Sequence, residues 1–108
     1  MLPTFDTACA PQGYAMELRQ LRTFAMAAEF ESFTRAAEAM AVTQPAVSQQ
    51  VASLEHELGI PLFQRGGRKT TLTDAGRQFY RYARQALDLL DDARREITHA
   101  PETITGTV

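Results

Sequence analysis

The chain contains 108 residues, of which 44% are hydrophobic, 22% charged and 8% aromatic, and its formal net charge is −2. This length suits one domain and the composition is too apolar for a disordered chain, so a multidomain enzyme is excluded. No apolar stretch of ~20 residues is present, and the first fifteen residues lack the basic start and apolar core of a secretory signal. We expect a cytoplasmic protein without contact with a membrane.

Few side chains could support catalysis or bind a metal. Cys9 is the only cysteine, and His56 and His99 are the only histidines. This set excludes an internal disulfide, contains too few ligands for a thiolate zinc site and offers no nucleophile with a base beside it. We therefore predict no enzymatic activity, no cofactor and no metal site, and we interpret Cys9 as inert.

The weak negative charge conceals a basic segment. Residues 61–84 contain six basic side chains and one acidic side chain, whereas the segments on either side are net negative. The six are Arg65, Arg68, Lys69, Arg77, Arg81 and Arg84. A polyanion such as DNA would bind a segment of this kind, but a solvated surface has the same composition, and charge alone favours the solvated surface.

Apolar spacing predicts three helices before residue 60. The first begins at Leu18 and ends near Phe30, because apolar residues recur there at steps of three and four. Ser32 is a candidate N-cap for the second helix and Thr43 for the third, which continues to about Leu58, where a glycine and a proline stop it. Two short helices joined by a tight turn, at about residues 33–58, predict a helix-turn-helix, although a corner of a helical bundle looks the same.

The remaining segments predict a wing and a long helix. Residues 62–65 and 70–72 are short extended pieces around a glycine turn, which predicts a two-stranded β-hairpin. Thr73 caps a fourth helix over residues 74–100, and Pro101 is expected to end it. Its apolar residues form a heptad stripe, which favours pairing with a second helix or, alternatively, contact with a further domain of the same chain. The heptad stripe consists of Phe79, Ala83, Ala86, Leu90, Ala93 and Ile97.

The outward face of the third helix favours DNA binding. Opposite its apolar stripe this helix has small or polar side chains and no Glu, Asp or Lys, whereas solvated helix faces are usually rich in Glu and Lys. The face consists of Pro45, Gln49, Ala52, Ser53 and His56, flanked by Gln44 and Ser48. Gln can pair bidentately with adenine and Ser can address several bases, so Gln44, Ser48 and Gln49 are the candidate base readers.

These residues carry a family resemblance from Met16 to about Ala100. The segments MELRQLRTF, SFTRAAEAMAVTQPAVSQQVASLEHELGIPLF and RGGRKTTLTDAG follow one another in the order found in LysR-type bacterial transcriptional regulators, and the chain resembles the N-terminal DNA-binding segment of that family. The resemblance implies a mainly α winged helix-turn-helix, with three helices and a two-stranded β-wing over residues 16–73. It also implies a linker helix over residues 74–100 that pairs with its counterpart in a second subunit.

The resemblance further implies where DNA is contacted. Ser32 and Thr34 would meet phosphate, and Arg65 and Arg68 in the wing would reach phosphate or the minor groove. The residues implied to enter the major groove are Thr43, Gln44, Pro45, Ser48 and Gln49. Many members carry Arg at the position of Gln49, so the common Arg-to-guanine contact is absent here. The roles of Arg77, Arg81 and Arg84 stay open among solvation, dimer bridging and DNA contact.

Sequence-specific binding of double-stranded DNA by a homodimer, at an inverted-repeat operator, is therefore the predicted function. The alternatives are a protein–protein assembly module built on a winged helix and the DNA-binding half of a molybdate-type regulator. Residues 1–15 are expected to be a flexible extension. Residues 101–108 are expected to begin a missing effector-binding domain, so that a small-molecule inducer, and any higher oligomer, would belong to the full-length protein.

Overall fold

The structure, a computed structural model, describes residues 16–64 and 69–103, with side chains up to Thr98. It contains four helices: α1 (Leu18–Phe30), α2 (Phe33–Met40), α3 (Gln44–Leu58) and α4 (Asp74–Thr103). The predictions for α1, α2 and α3 are confirmed. The predicted extension at residues 1–15, with Cys9, lies outside the described residues, as do Arg65, Arg68 and residues 104–108.

Two predicted N-caps are confirmed at the helix-turn-helix. The Ser32 Oγ accepts a hydrogen bond from the Arg35 backbone N at 3.0 Å, and the Thr43 Oγ1 accepts one from the Ala46 backbone N at 3.2 Å. Each bond satisfies an amide that the first turn of a helix leaves without an intrahelical acceptor. Between α2 and α3 the backbone turns at Ala41, which has a positive φ of 59°, so the two helices meet at a tight corner.

The core lies where α1, α3 and α4 meet, and aromatic rings fill it. Phe24 is fully buried, and its ring centroid lies 5.5 Å from that of Phe63 and 5.4 Å from that of Phe79. Phe33 of α2 also contacts Phe63, with centroids 5.2 Å apart. These edge-to-face and tilted contacts add to the area that the rings bury and hold α1, α2 and α4 together. The third helix adds Val47, Val51 and Leu54 to the same core.

The segment between α3 and α4 is only partly the predicted wing. One antiparallel bridge joins Phe63 to Leu72, and the Gln64 backbone N donates to the Thr71 carbonyl at 2.8 Å. Among the described residues this bridge does not extend into paired strands, so the two-stranded β-wing is not confirmed. The arms are only a few residues long, and a short two-stranded pair has little stability of its own.

Glu55 of α3 holds the start of this segment through two hydrogen bonds. The Glu55 Oε2 accepts hydrogen bonds from the backbone N of Leu62 at 2.7 Å and of Phe63 at 3.1 Å. Both donors belong to residues that are 1% exposed, so water could not replace the carboxylate without opening the core. Glu55 therefore fixes the end of α3 to the start of the segment that leads to α4.

The fourth helix is longer than predicted. It ends at Thr103, three residues beyond the predicted end at residue 100, and it contains 30 residues. Proline lacks the donor that would bond to the carbonyl four residues earlier, but it keeps a helical φ, so one final turn can follow it. Among the described residues, no helix is both long and apolar enough to cross a membrane.

Candidate nucleic-acid interface

The exposed face of α3 is uncharged. Its exposed residues are Gln44, Pro45, Gln49, Ala52, Ser53 and His56, which is the outward face expected from the sequence. The two carboxylates of α3, Glu55 and Glu57, are partly buried on other sides of the helix. No carboxylate of α3 would therefore oppose phosphate if this face entered a groove of DNA.

Hydrogen-bonding side chains are grouped in the first two turns of α3. The Gln44 Nε2 donates to the Ser48 Oγ at 2.7 Å, one turn further along the helix. This bond leaves the Gln44 carbonyl oxygen, its second amide hydrogen and the Ser48 hydroxyl hydrogen able to bond elsewhere. Gln49 is exposed beside them. The three candidate base readers are thus adjacent, and they offer both donors and acceptors.

The predicted phosphate contacts of the helix-turn-helix lie around the same corner. Thr34 is exposed in the first turn of α2, whereas Ser32 is half-buried and accepts the capping hydrogen bond from Arg35. Thr43 is exposed and caps α3. Both hydroxyl groups that accept in a cap still carry a hydrogen that can be donated to a phosphate oxygen.

A shallow depression borders the face on the side of α1. It has a volume of about 260 Å³ and shares Gln49 and Ser53 with the outward face of α3. From the start of α1 it is lined by Glu17 and Gln20, and the Gln20 Oε1 accepts a hydrogen bond from the Glu17 backbone N at 3.1 Å. Neither residue was among the predicted site residues, because the apolar spacing of α1 does not indicate that its first turn lies beside α3.

The basic side chains of residues 61–84 differ in their partners and exposure. Lys69 forms an ion pair with Glu31 at 3.2 Å, in which both side chains are more than half exposed. Arg77 pairs with Asp74 on α4, and Arg81 is exposed. Arg65 and Arg68, the predicted wing contacts, lie outside the described residues. Surface ion pairs contribute little to stability, so Lys69 and Arg77 can exchange their carboxylate partners for phosphate.

Arg84 bonds within its own chain. Its Nη1 donates to the Glu29 Oε2 at 2.6 Å and its Nη2 to the Asp88 Oδ1 at 3.1 Å, while the Tyr80 hydroxyl donates to the same Glu29 oxygen at 2.8 Å. Burial would lower the pKa of Arg84, but its hydrogen bonds to Asp88, Glu29 and Tyr80 raise it overall. Burial and the Glu29 carboxylate raise the pKa of Tyr80. These hydrogen bonds to Glu29 form the α1–α4 bridge.

The heptad stripe of α4 divides into two parts. Ala83 is 2% exposed within its own chain and so cannot reach a partner, which corrects the prediction for this residue. Phe79 is half-buried and packs against Phe24, so part of its ring stays available to a partner. Leu87, which the stripe omitted, is also buried. Ala86 is partly buried, whereas Leu90 is 47% and Ile97 69% exposed, and Ala93 is exposed as well.

An apolar groove continues the exposed part of the stripe toward α3. It has a volume of about 250 Å³ and lies between the end of α3 and the first turns of α4. The residues that line it are Leu58, Ile60, Leu62, Ala75, Gln78, Phe79 and Tyr82. Ile60 and Tyr82 are 44% and 65% exposed, so the groove opens to solvent.

Comparison with known proteins identifies the family. Residues 18–77 match the family described as "Bacterial regulatory helix-turn-helix protein, lysR family". The chain belongs to the LysR family. The resemblance drawn from the sequence is thereby confirmed, and the matched range contains the whole helix-turn-helix and the first turn of α4.

Relatives of this LysR-family chain are transcriptional regulators. It is 50% identical over 93 residues to BudR of Klebsiella aerogenes, covering 86% of this chain and 65% of BudR. It is 43% identical over 91 residues to the RuBisCO operon transcriptional regulator of Allochromatium vinosum, covering 84% of this chain and 29% of that protein. This chain spans about a third or less of the length of the first relatives that it matches.

Solved structures with the same fold contain DNA. The DNA-binding domain of BenM in complex with catB site 1 DNA has a TM-score of 0.76 and 41% identity, covering 79% of this chain and 94% of that one. Full-length CbnR complexed with its target DNA has a TM-score of 0.71 and 36% identity, covering 79% of this chain and 30% of CbnR. This LysR-family chain therefore carries the DNA-binding helix-turn-helix domain of a transcriptional regulator.

Proposed function

We propose that the chain binds a specific sequence of double-stranded DNA as a homodimer and thereby regulates bacterial transcription in the cytoplasm. The observation that carries the proposal is the exposed face of α3, which has six exposed residues and no charge among them. A helix that enters the major groove needs short hydrogen-bonding side chains and no opposing carboxylates, and this face has both properties. The DNA in the related BenM and CbnR structures supports the proposal.

In this proposal two groups of residues have different tasks. Gln44, Ser48 and Gln49 contact base edges and specify sequence, together with Thr43, Pro45 and Ser53 around them. Ser32, Thr34, Arg65 and Arg68 contact phosphate and sugar, and so position the domain without reading sequence. Because Gln pairs bidentately with adenine, we expect an A·T pair opposite Gln49 in the preferred half-site.

The exposed apolar side chains of α4 support the homodimer. Leu89, Leu90 and Ile97 are 69%, 47% and 69% exposed, and the groove around Tyr82 continues the same surface. A second copy of α4 would cover these side chains, with Ala86 and Ala93 allowing the two helices to approach closely. A two-fold axis through this contact requires an inverted-repeat operator, with half-sites roughly one turn of DNA apart.

The proposal also covers the part of the whole regulator that this chain does not span. The first relatives are more than three times as long as the segment that they share with this chain. We infer that the whole protein contains an effector domain after α4, that this domain binds a small-molecule inducer, and that assemblies larger than a dimer depend on it. The DNA-binding segment by itself should therefore bind its operator without any response to a metabolite.

The test is a selection of operators from a pool of random-sequence duplexes, followed by affinity measurements on two variants. Gln49→Ala should weaken binding to the selected half-site by about 1–3 kcal/mol and affect random DNA little. Arg68→Ala should weaken binding to both alike, because a phosphate contact is independent of sequence. Gln85→Ala, an exposed glutamine on α4, is the matched control and should change neither.

The same duplexes separate DNA binding from an assembly function. The logarithm of the affinity should fall linearly with the logarithm of the salt concentration, because phosphate contacts release counterions. A flat salt plot would contradict the phosphate contacts. Equal losses on specific and random DNA for both variants would show that α3 does not read the sequence. A selection that recovers no common motif would favour the assembly module.

A further inference from the structure

Besides its apolar contacts, the fourth helix is attached to the domain by hydrogen bonds at two places. At its start, the Thr73 Oγ1 accepts from the Gly76 backbone N at 2.9 Å and donates to the Pro61 carbonyl at 2.8 Å. The second attachment is the α1–α4 bridge, where Arg84 and Tyr80 both donate to Glu29. Beyond Leu87, the last buried residue, the side chains of α4 are exposed up to Thr98 except for that of Asp91, which is half-buried.

We propose that the α1–α4 bridge sets the angle at which α4 leaves the domain, and that it thereby selects the spacing between the two half-sites that a dimer recognises. Glu29, Arg84 and Tyr80 are positioning residues in this proposal, because none of them lies on the reading face of α3. The inference rests on the proposed homodimer, since only a dimer that joins two domains through α4 converts a helix angle into a distance along DNA.

The length of the unsupported part of α4 makes this angle important. From Asp88 to Thr103 the helix extends about 24 Å at ~1.5 Å per residue. A tilt of about 10° at the bridge would therefore displace its far end by roughly 4 Å. Successive base pairs are separated by ~3.4 Å along the duplex, so a tilt of this size corresponds to about one base pair of spacing.

The apolar contacts beneath the bridge do not define this angle by themselves. Ala83 and Leu87 hold α4 against the domain, but apolar contact is non-directional and a helix can roll or slide on it. The guanidinium of Arg84 instead bonds in two directions at once, to Glu29 on α1 and to Asp88 on its own helix. Charge-assisted bonds of this kind impose a geometry as well as an attraction, and Tyr80 adds a third direction.

The charges on both sides of the bridge are only partly exposed. The Arg84 and Glu29 side chains are 34% and 39% exposed, so the pair is better shielded from solvent than the Lys69–Glu31 pair at 68% and 53%. Screening by salt is weaker for a shielded pair. The bridge should therefore hold the helix angle at the salt concentrations at which DNA binding is measured.

The experiment reads half-site spacing directly. Wild-type protein and the variants Glu29→Gln, Arg84→Leu and Arg84→Lys are each used to select duplexes from one random-sequence pool, and the recovered inverted repeats are sorted by spacing. We expect one dominant spacing for the wild type and a distribution spread over at least about one base pair on each side for Arg84→Leu. The half-site motif itself should stay the same, because the reading face of α3 is unchanged.

Affinity measurements sharpen the result. On the duplex that the wild type prefers, Arg84→Leu should bind about tenfold more weakly, while a duplex lengthened by one base pair should lose little further affinity. The wild type should lose about tenfold for the same added base pair. Arg84→Lys, which keeps a charge but not the two-directional geometry, should lie between them. Glu29→Gln, which keeps an acceptor for Arg84 and Tyr80 but loses the charge, should broaden the spacing distribution less than Arg84→Leu.

Controls distinguish the possible failures. Arg95→Gln breaks the 2.5 Å pair between Arg95 and Asp92 within α4 and should leave the spacing unchanged. Circular dichroism and a single-half-site duplex check that each variant is folded and reads its motif. If the wild type binds one half-site as tightly as the repeat, the homodimer is wrong and this inference falls with it. If the wild type selects one spacing and every bridge variant selects the same one, only the role of the bridge is overturned.

Discussion

The two halves of α4 carry the same apolar spacing but have different surroundings. In the first half, Ala83 and Leu87 are buried and the ring of Phe79 packs against Phe24. In the second half, Leu90 is 47% exposed and Ile97 69% exposed. Periodicity therefore shows which side of a helix is apolar, but it does not show what covers that side.

The width of the apolar stripe distinguishes the two halves better than its period. In the first half Tyr80 and Leu87 widen it on the side that faces α1, as is typical of a helix that packs on its own core. Beyond Leu87 the described side chains add no apolar residue on that side, and the narrower stripe is typical of a helix that pairs with another helix. The domain and the free half of α4 should therefore respond differently to substitution.

The largest effect on stability is expected in the domain. Phe24→Ala removes a fully buried ring that contacts the rings of Phe63, Phe79 and Tyr80, so we expect a loss of about 3–5 kcal/mol in the free energy of unfolding. Ile97→Ala, in the free half of α4, should cost less than about 0.5 kcal/mol. Urea unfolding followed by circular dichroism, at concentrations where the chain is monomeric, measures both. Similar losses would show that the free half is part of the core.

A charge on the free half of α4 should weaken dimerisation without changing the stability of the domain. Leu90→Glu places a carboxylate on the exposed stripe, and burying that charge against a second copy should cost roughly 3 kcal/mol of association free energy. Sedimentation velocity should then show monomers, while the unfolding of the monomer stays as in the wild type. Thr98→Glu adds the same charge on another side of α4, away from Leu89 and Leu90, and should leave the dimer intact. A dimer that persists in Leu90→Glu would place the interface elsewhere.

Features set by nearby residues could be predicted from the sequence, whereas contacts between distant residues could not. Periodicity and capping residues predicted α1, α2 and α3, because Ser32 and Thr43 act within a few residues of their own position. The outward face of α3 followed from the same local geometry. The α1–α4 bridge did not, because Glu29 and Arg84 lie 55 residues apart and only the packing of α1 against α4 brings them together.

The role of Glu55 escaped prediction for the same reason. On α3 it looks like one of two ordinary surface carboxylates, yet its Oε2 accepts from two buried backbone donors at Leu62 and Phe63. Its neighbour Glu57 has a buried Oε2 with no hydrogen-bond partner in the described part of the chain. The two residues have the same type, the same helix and similar burial, and they differ in what they bond.

Because of that difference, replacement by alanine should change the free energy of unfolding unequally at Glu55 and Glu57. Glu55→Ala leaves two buried backbone donors without an acceptor and should lower the free energy of unfolding by roughly 2–3 kcal/mol. Glu57→Ala removes a carboxylate oxygen that is buried without a partner, so it should be nearly neutral or stabilising. Chemical denaturation of both variants measures the difference. Equal destabilisation would mean that the hydrogen bonds of Glu55 contribute nothing beyond its packing.

The smallest effect is expected at Gly76, where the first turn of α4 lies against the segment before it. A Cβ at this position would lie 2.1 Å from the Leu62 carbonyl oxygen and 3.0 Å from the Leu72 Cδ2. Because the nearer atom is backbone, it cannot rotate away, and the start of α4 must shift to admit a methyl group. In a helix without such a contact, replacing Gly by Ala stabilises by about 1 kcal/mol.

At Gly76 the clash should outweigh that gain, so we expect Gly76→Ala to lose about 1–2 kcal/mol of unfolding free energy. Gln85→Ala, at an exposed position of the same helix, is the control and should be neutral or slightly stabilising. Urea denaturation compares the two, and the operator selection described above shows whether the shifted helix also changes half-site spacing. Since Gly76 lies at one attachment of α4 and Glu29 at the other, a stable Gly76→Ala variant with unaltered spacing would show that the bridge alone defines the helix angle.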